Sequence, residues 1–227
     1  MPRRIQQNTI FTQTKRERVL VKLDVTDLNY IKESIKKGCE IFGLTKGQFS
    51  LIDLIEACLE VTGQAQVDVS TWTSAEGSIK RSFDLLTNGN ISKFRIMIDP
   101  SFKTRKPEFC EQLVKVFGQE CVRSFRNHAK FVIIKNDKYN LVIRTSMNLT
   151  QNPRMENFEI SDDKDLCQFM QGIIDEVFTK VPKNHDFVRT FVTEEKILDF
   201  GRQPETKNVE LTDKQLADYV DRIFVGV

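Results

Sequence analysis

The chain has 227 residues, an apolar fraction of 40% and 17 Phe, enough for one full-sized domain with a real core or one domain with a small appendage. Charged residues make up 29% but the net charge is only +2, which excludes a globally basic nucleic-acid coat and leaves a local patch as the only route to a polyanion. No run of 18 apolar residues exists, and residues 1–20 carry Arg3, Arg4, Lys15, Arg16 and Arg18 without an apolar core, so neither a membrane span nor a signal peptide is expected. The five cysteines (Cys39, Cys58, Cys110, Cys121, Cys167) are odd in number and form no C-x-x-C pair, which reads as reduced, mostly buried thiols rather than a zinc site or a disulfide framework. The expected setting is soluble and cytoplasmic, with no membrane partner.

In chain order, residues 1–18 read as a polar, basic arm and Val19–Leu23 as a short strand. Asp24–Thr26 offers an N-cap for a helix through Asn29–Phe42, closed by Gly43. Thr45 begins another start signal. Leu51, Leu54, Ile55, Cys58 and Leu59 then fall on one face of a helix over Phe49–Val61, ended by Gly63. From Gln66 the pattern alternates. Strands are predicted at Gln66–Thr73, Lys93–Asp99 and Cys121–Phe125. Between them lie helices at Ser74–Leu86, with Ser74 as its cap, and at Pro107–Phe117. A hairpin of 128–135 and 140–146 turns at Asn136–Tyr139. A strand at Asn157–Ser161 and a helix at Asp163–Thr179 follow. This succession predicts an α/β fold, a mixed β-sheet flanked by helices. Beyond Pro182 the pattern weakens, and Thr212–Phe224 reads as a last helix. The expected organisation is a basic arm and helical lead-in over 1–45, an α/β domain over 46–182, and an extension over 183–227.

The densest chemistry lies between Asn127 and Ile160. His128 is one of only two histidines. At a strand start, residues i and i+2 share a face, so His128 and Lys130 project together while Ala129 and Phe131 turn inward. An imidazole beside an ammonium suits an anionic substrate, with phosphate the obvious one. Downstream come a Ser-x-Asn corner (Ser146, Asn148) and Glu156.

The run HAKFVIIKND, then TSMN, then Glu156 resembles the phospholipase D superfamily, whose signature is H-x-K-x(4)-D followed by G-S-x-N. Two positions depart from it: Lys135 stands where the family has its Asp, with Asp137 the nearest acid, and Thr145 stands for the Gly before Ser146. The resemblance implies a phospholipase D-like α/β/α sandwich and a metal-independent phosphodiesterase needing no cofactor. In it His128 is the nucleophile that forms a phosphohistidine. Lys130, Asn148 and Ser146 contact the phosphate oxygens or orient the site. Glu156 holds the imidazole nitrogen that does not attack. The chain has no second H-x-K, so a complete site calls for a homodimer with His128 of each copy across one axis.

Around this site, Arg144 and Arg154 suit a phosphate backbone or a solvated surface equally. Trp72, at a strand end facing the ligand crevice, suits base stacking or packing. Lys103, Arg105 and Lys106 form a loop cluster fit for a polyanion, or a simple exposed loop. His185 has no companion motif. The expected function is a nuclease on DNA or RNA. The alternative is a non-catalytic nucleic-acid-binding protein on the same fold, which the changes at Lys135 and Thr145 favour a little.

Overall fold

A computed structural model describes residues 17–22, 28–102, 111, 114–150 and 153–181. An eight-stranded sheet runs through them in the order β1-β2-β8-β7-β6-β3-β4-β5. The strands are β1 (Glu17–Val21), β2 (Cys39–Thr45), β3 (Ala65–Thr71), β4 (Ile91–Ile98), β5 (Val122–Ser124), β6 (Phe131–Lys135), β7 (Asn140–Thr145) and β8 (Glu156–Asp162). Helices α1 (Asn29–Ser34), α2 (Leu51–Thr62), α3 (Glu76–Thr87) and α4 (Lys164–Lys180) flank it. β1–β2, β3–β4 and β4–β5 pair in parallel, and β2–β8, β8–β7, β7–β6 and β6–β3 antiparallel, so the sheet is mixed. The expected α/β class is the one observed. β1 and β2 belong to the same sheet as the strands beyond residue 46.

The two faces follow from the period-two pattern. Val132, Ile134, Leu141 and Ile143 join the larger cluster with α2 residues such as Leu54, Ile55 and Cys58. Phe131, Ile133 and Val142 face the other way, onto Cys167, Ile174 and Val177 of α4. α2 starts where the chemistry is right for it. Ser50 accepts from Asp53 N while Asp53 accepts from Ser50 N, a capping box, and Gly63 ends the helix at φ 73°.

Several expectations need correction. The helix from Asn29 stops at Ser34, and Cys39–Thr45 is strand β2. The turn falls at Gly38, whose φ of 71° suits glycine. Gly43 is no terminator: it lies in β2, where a Cβ would run into the Phe158 ring and Val21. α2 is opened by Ser50 rather than Thr45. α3 is opened by Ala75 with no side-chain cap, because Ser74 forms a bridge to Leu149 instead. The strand expected from 128 begins at Phe131. Residues 111 and 114–117 are helical, within the helix expected at Pro107–Phe117. The cap at Asp24–Thr26 and everything expected after Pro182, the last helix included, lie outside the described residues. Cys39, Cys58 and Cys167 are buried free thiols and Cys121 is a half-buried one. No helix among the described residues is long and apolar enough to cross a membrane.

Candidate active site at one edge of the sheet

The pairing directions bring the C-terminal ends of β2, β3, β4, β5 and β7 and the N-terminal ends of β6 and β8 to one edge. Open α/β sheets bind ligands at such an edge. His128 and Lys130 lie there, in the extended segment between β5 and β6, with Ser146 and Asn148 just after β7 and Glu156 at the start of β8.

The His128 segment is held from beneath by polar side chains at the ends of β3 and β4. Ser70 Oγ donates to Ala129 O at 2.8 Å and accepts from Asn127 Nδ2 at 2.8 Å. Asn127 Oδ1 accepts from Ala129 N at 3.0 Å, and Asn127 N donates to Asp99 Oδ2 at 3.0 Å. Ser70 is fully buried and Asn127 nearly so, so these bonds are shielded from competing water. The segment is thus fixed without being part of a ladder. The expectation that Ala129 packs inward fails, because Ala129 is exposed; Phe131 is buried as expected.

His128 and Lys130 do meet. Lys130 Nζ lies 3.1 Å from His128 Nδ1 and 3.4 Å from Nε2, and donates to His128 O at 2.8 Å. Burial pushes the Lys130 ammonium below the ordinary lysine range, and the Glu156 carboxylate pulls it back only in part. A desolvated ammonium beside an exposed imidazole is a pair of groups poised for an oxyanion.

The Ser146 corner is stitched by Thr145. Its Oγ1 donates to Asn157 O at 2.6 Å and accepts from Met147 N at 2.9 Å, so the residue standing for the expected Gly closes the β7–β8 corner itself. Ser146 Oγ donates to Glu156 Oε2 and accepts from Asn157 N at 3.0 Å. Asn148 Oδ1 accepts from Thr71 Oγ1 at 3.4 Å, which draws the corner to the end of β3. Among the described residues, Glu156 makes no hydrogen bond to His128; it is engaged by Ser146. The hydrogen bond expected from it to the imidazole is absent among the described residues, and its carboxylate acts instead on the charge of Lys130 in the same segment.

Arg144 pairs across strands with Glu159 on the α4 face, one cation answered by one anion. Arg154 is exposed next to the corner. Trp72 directly follows β3, and its ring centroid lies 5.4 Å from that of His128 at 52°. Lys103, Arg105 and Lys106 lie outside the described residues, as does His185. Lys135, in the family's Asp position, sits on the α4 face opposite Gln66 of β3. Asp137 is exposed in the β6–β7 turn. Sequence reasoning missed the supporting shell of Ser70, Thr71, Asp99 and Asn127. Only Asn127, adjacent to His128, carried a local signal.

No protein-family model matches the sequence, and no curated protein matches it. Solved structures of similar course do exist. The phospholipase D family member Nuc from Salmonella typhimurium is 15% identical over 63% of this chain and 95% of its own, with a TM-score of 0.46. NucT from Helicobacter pylori is 14% identical over 63% and 98%, with a TM-score of 0.45. Phosphatidylserine synthase from Haemophilus influenzae Rd KW20 is 18% identical over 82% and 45%, with a TM-score of 0.43. The reading of the site stands on its own residues.

Proposed function

We propose that the chain is a metal-independent phosphodiesterase of the phospholipase D type acting on DNA or RNA. The observation that carries this is the pairing of exposed His128 with the desolvated Lys130, 3.1 Å apart, at the sheet edge where Ser146, Asn148 and Glu156 also stand. An imidazole nitrogen of His128 attacks phosphorus. A P–N bond forms, the P–O bond to the leaving alkoxide breaks, and the departing oxygen takes a proton from a second histidine. Water then attacks the phosphohistidine, loses its proton to that histidine, and releases the imidazole. Lys130 meets the charge growing on the non-bridging oxygens, and Asn148 offers an amide to the same group. Ser146 holds Glu156, whose carboxylate opposes the lowering of Lys130 by burial.

The second histidine is His128 of another copy. One H-x-K per chain supports a C2 homodimer, because an isologous contact places both copies of a segment across one axis. Arg154 extends the cationic edge along a nucleic-acid backbone.

Hydrolysis of single- and double-stranded DNA and of RNA in excess chelator tests the proposal. Turnover is expected in wild type and none in His128→Ala. Turnover that needs Mg²⁺ or survives in His128→Ala overturns it. One observation favours a second reading, a non-catalytic nucleic-acid-binding protein: among the described residues no carboxylate hydrogen-bonds His128. Binding without cleavage on every nucleic acid would establish that reading.

A further inference from the structure

Three consecutive residues, the last two of β3 and the one after it, each reach a different part of the site. Ser70 holds the His128 segment through Ala129 O and Asn127 Nδ2. Thr71 Oγ1 reaches the Asn148 corner, donating to Asn148 Oδ1 and accepting from Leu149 N, each at 3.4 Å. Trp72 lays its ring against the His128 imidazole at 5.4 Å. The backbone carrying Trp72 has little freedom. The single Thr71 hydroxyl proton is shared with Thr73 O, the nearer acceptor at 2.8 Å, Ala75 N donates to Leu149 O at 2.8 Å, and Ser74 bridges to Leu149. Thr71 and Ser74 are both essentially fully buried.

His128, by contrast, is exposed, and among the described residues its ring nitrogens meet only the Lys130 ammonium. A flexible ammonium cannot by itself orient an aromatic plane. We propose that Trp72 is the positioning residue of His128: its ring, anchored through Thr71 and Ser74 to the Ser146–Asn148 corner, fixes the plane and reach of the nucleophile. This is the task the resemblance gave to Glu156, done by a tilted ring–ring contact instead of a hydrogen bond. Ring pairs at such a separation and tilt are attractive beyond simple area burial. The inference rests on His128 being the nucleophile. It also departs from a base-stacking platform, in which the ring would serve the substrate.

The contact can be read directly, because Trp72 is the only tryptophan in the chain. Its emission reports the neighbourhood of His128 with no competing signal. Protonated imidazole quenches a touching indole. Acidification is expected to quench wild-type emission and to leave His128→Ala emission nearly unchanged. Equal quenching in both proteins overturns the contact, whatever the activity.

Kinetics on bis(p-nitrophenyl) phosphate and on a single-stranded oligonucleotide form the second arm. Trp72→Leu is expected to lower kcat about 10²-fold on both substrates with KM little changed, since misplacing a nucleophile by about 1 Å costs on that order. Trp72→Phe is expected to restore most of kcat. Circular dichroism melts confine the comparison to folded protein, and the Phe variant and wild-type emission remain decisive if the Leu variant does not fold. A rise in KM confined to the oligonucleotide, with kcat intact, makes Trp72 a base-stacking platform and overturns the proposal. If wild type hydrolyses neither substrate, the catalytic reading fails, and the emission arm still decides whether Trp72 holds His128.

Discussion

β3 contributes to two buried polar networks, and they differ in where they end. In mid-strand, Asp68 is fully buried and takes Arg95 in a two-pronged contact, Nε–Oδ1 at 2.5 Å and Nη2–Oδ2 at 3.1 Å. Gln66 Nε2 donates to Asp68 Oδ2 at 2.7 Å, Arg95 Nη1 donates to Asp175 Oδ1 of α4 at 2.8 Å, and the guanidinium lies 5.0 Å from the Phe178 ring. Burial disfavours the Arg95 cation, but its bonds to Asp68 and Asp175 win and raise it. This network closes on itself and ties α4 to the sheet. At the strand end, Ser70 and Thr71 are equally buried, yet their bonds lead outward, through Asn127 and Ala129 on either side of the exposed His128 and to the half-exposed Asn148. A polar network that terminates in its own partners stabilises a fold. One that terminates in exposed reactive side chains aligns a site. Substitutions should separate the two.

The largest effect is expected at Asp68. Asp68→Ala leaves the Arg95 guanidinium buried beside a cavity, and losing one partner of such a pair costs about 3–5 kcal/mol. Urea unfolding should show that loss while kcat of the folded fraction stays near wild type. A fall in kcat larger than the fall in folded fraction would erase the distinction between the networks. Lys130→Ala comes next, with kcat/KM lower by roughly 10²–10³ and little change in the unfolding midpoint. Ser70→Ala should do both things at smaller scale. It strands the buried Asn127 amide, at about 1–3 kcal/mol of stability, and it loosens the His128 segment, so kcat should fall as well. Stability lost with kcat intact would place Ser70 with Asp68.

The smallest effect concerns pH. Lys130 is depressed by burial, so its proton leaves at lower pH than an ordinary lysine's, and the alkaline limb of the rate profile should fall below the usual lysine range. Glu156 opposes that depression, so Glu156→Gln should move the limb further down. A shift upward would contradict the placement of Glu156 beside Lys130.

What was legible in the sequence followed from short-range chemistry. The period-two runs of β3, β4 and β6–β8, the amphipathic face of α2 with Gly63 behind it, and the His128–Lys130–Ser146–Asn148 spacing all depend on neighbours a few residues apart. β2 was misread although Cys39, Ile41, Gly43 and Thr45 alternate with less buried residues, because the helix signal from Asn29 ran on past the real turn at Gly38. The partner of Glu156 depends on the register of β8 against β2 and β7, and the support from Ser70, Thr71 and Asp99 depends on which strand ends meet at the edge. Those are long-range facts that no local pattern encodes. Thr145 shows the converse. It departs from the expected Gly, yet its hydroxyl closes the corner that the motif requires.

The central claim is that His128 forms a covalent bond to phosphorus. Rapid acid-free quenching during turnover of an oligonucleotide labelled at its internal phosphodiesters in excess chelator, followed by mass spectrometry of the digested chain, tests it most directly. The account predicts an acid-labile adduct on the peptide bearing His128, its phosphorus still esterified to the retained nucleotide, present in wild type and absent from His128→Ala. Turnover with no adduct on that peptide, or an adduct on another residue, would contradict it.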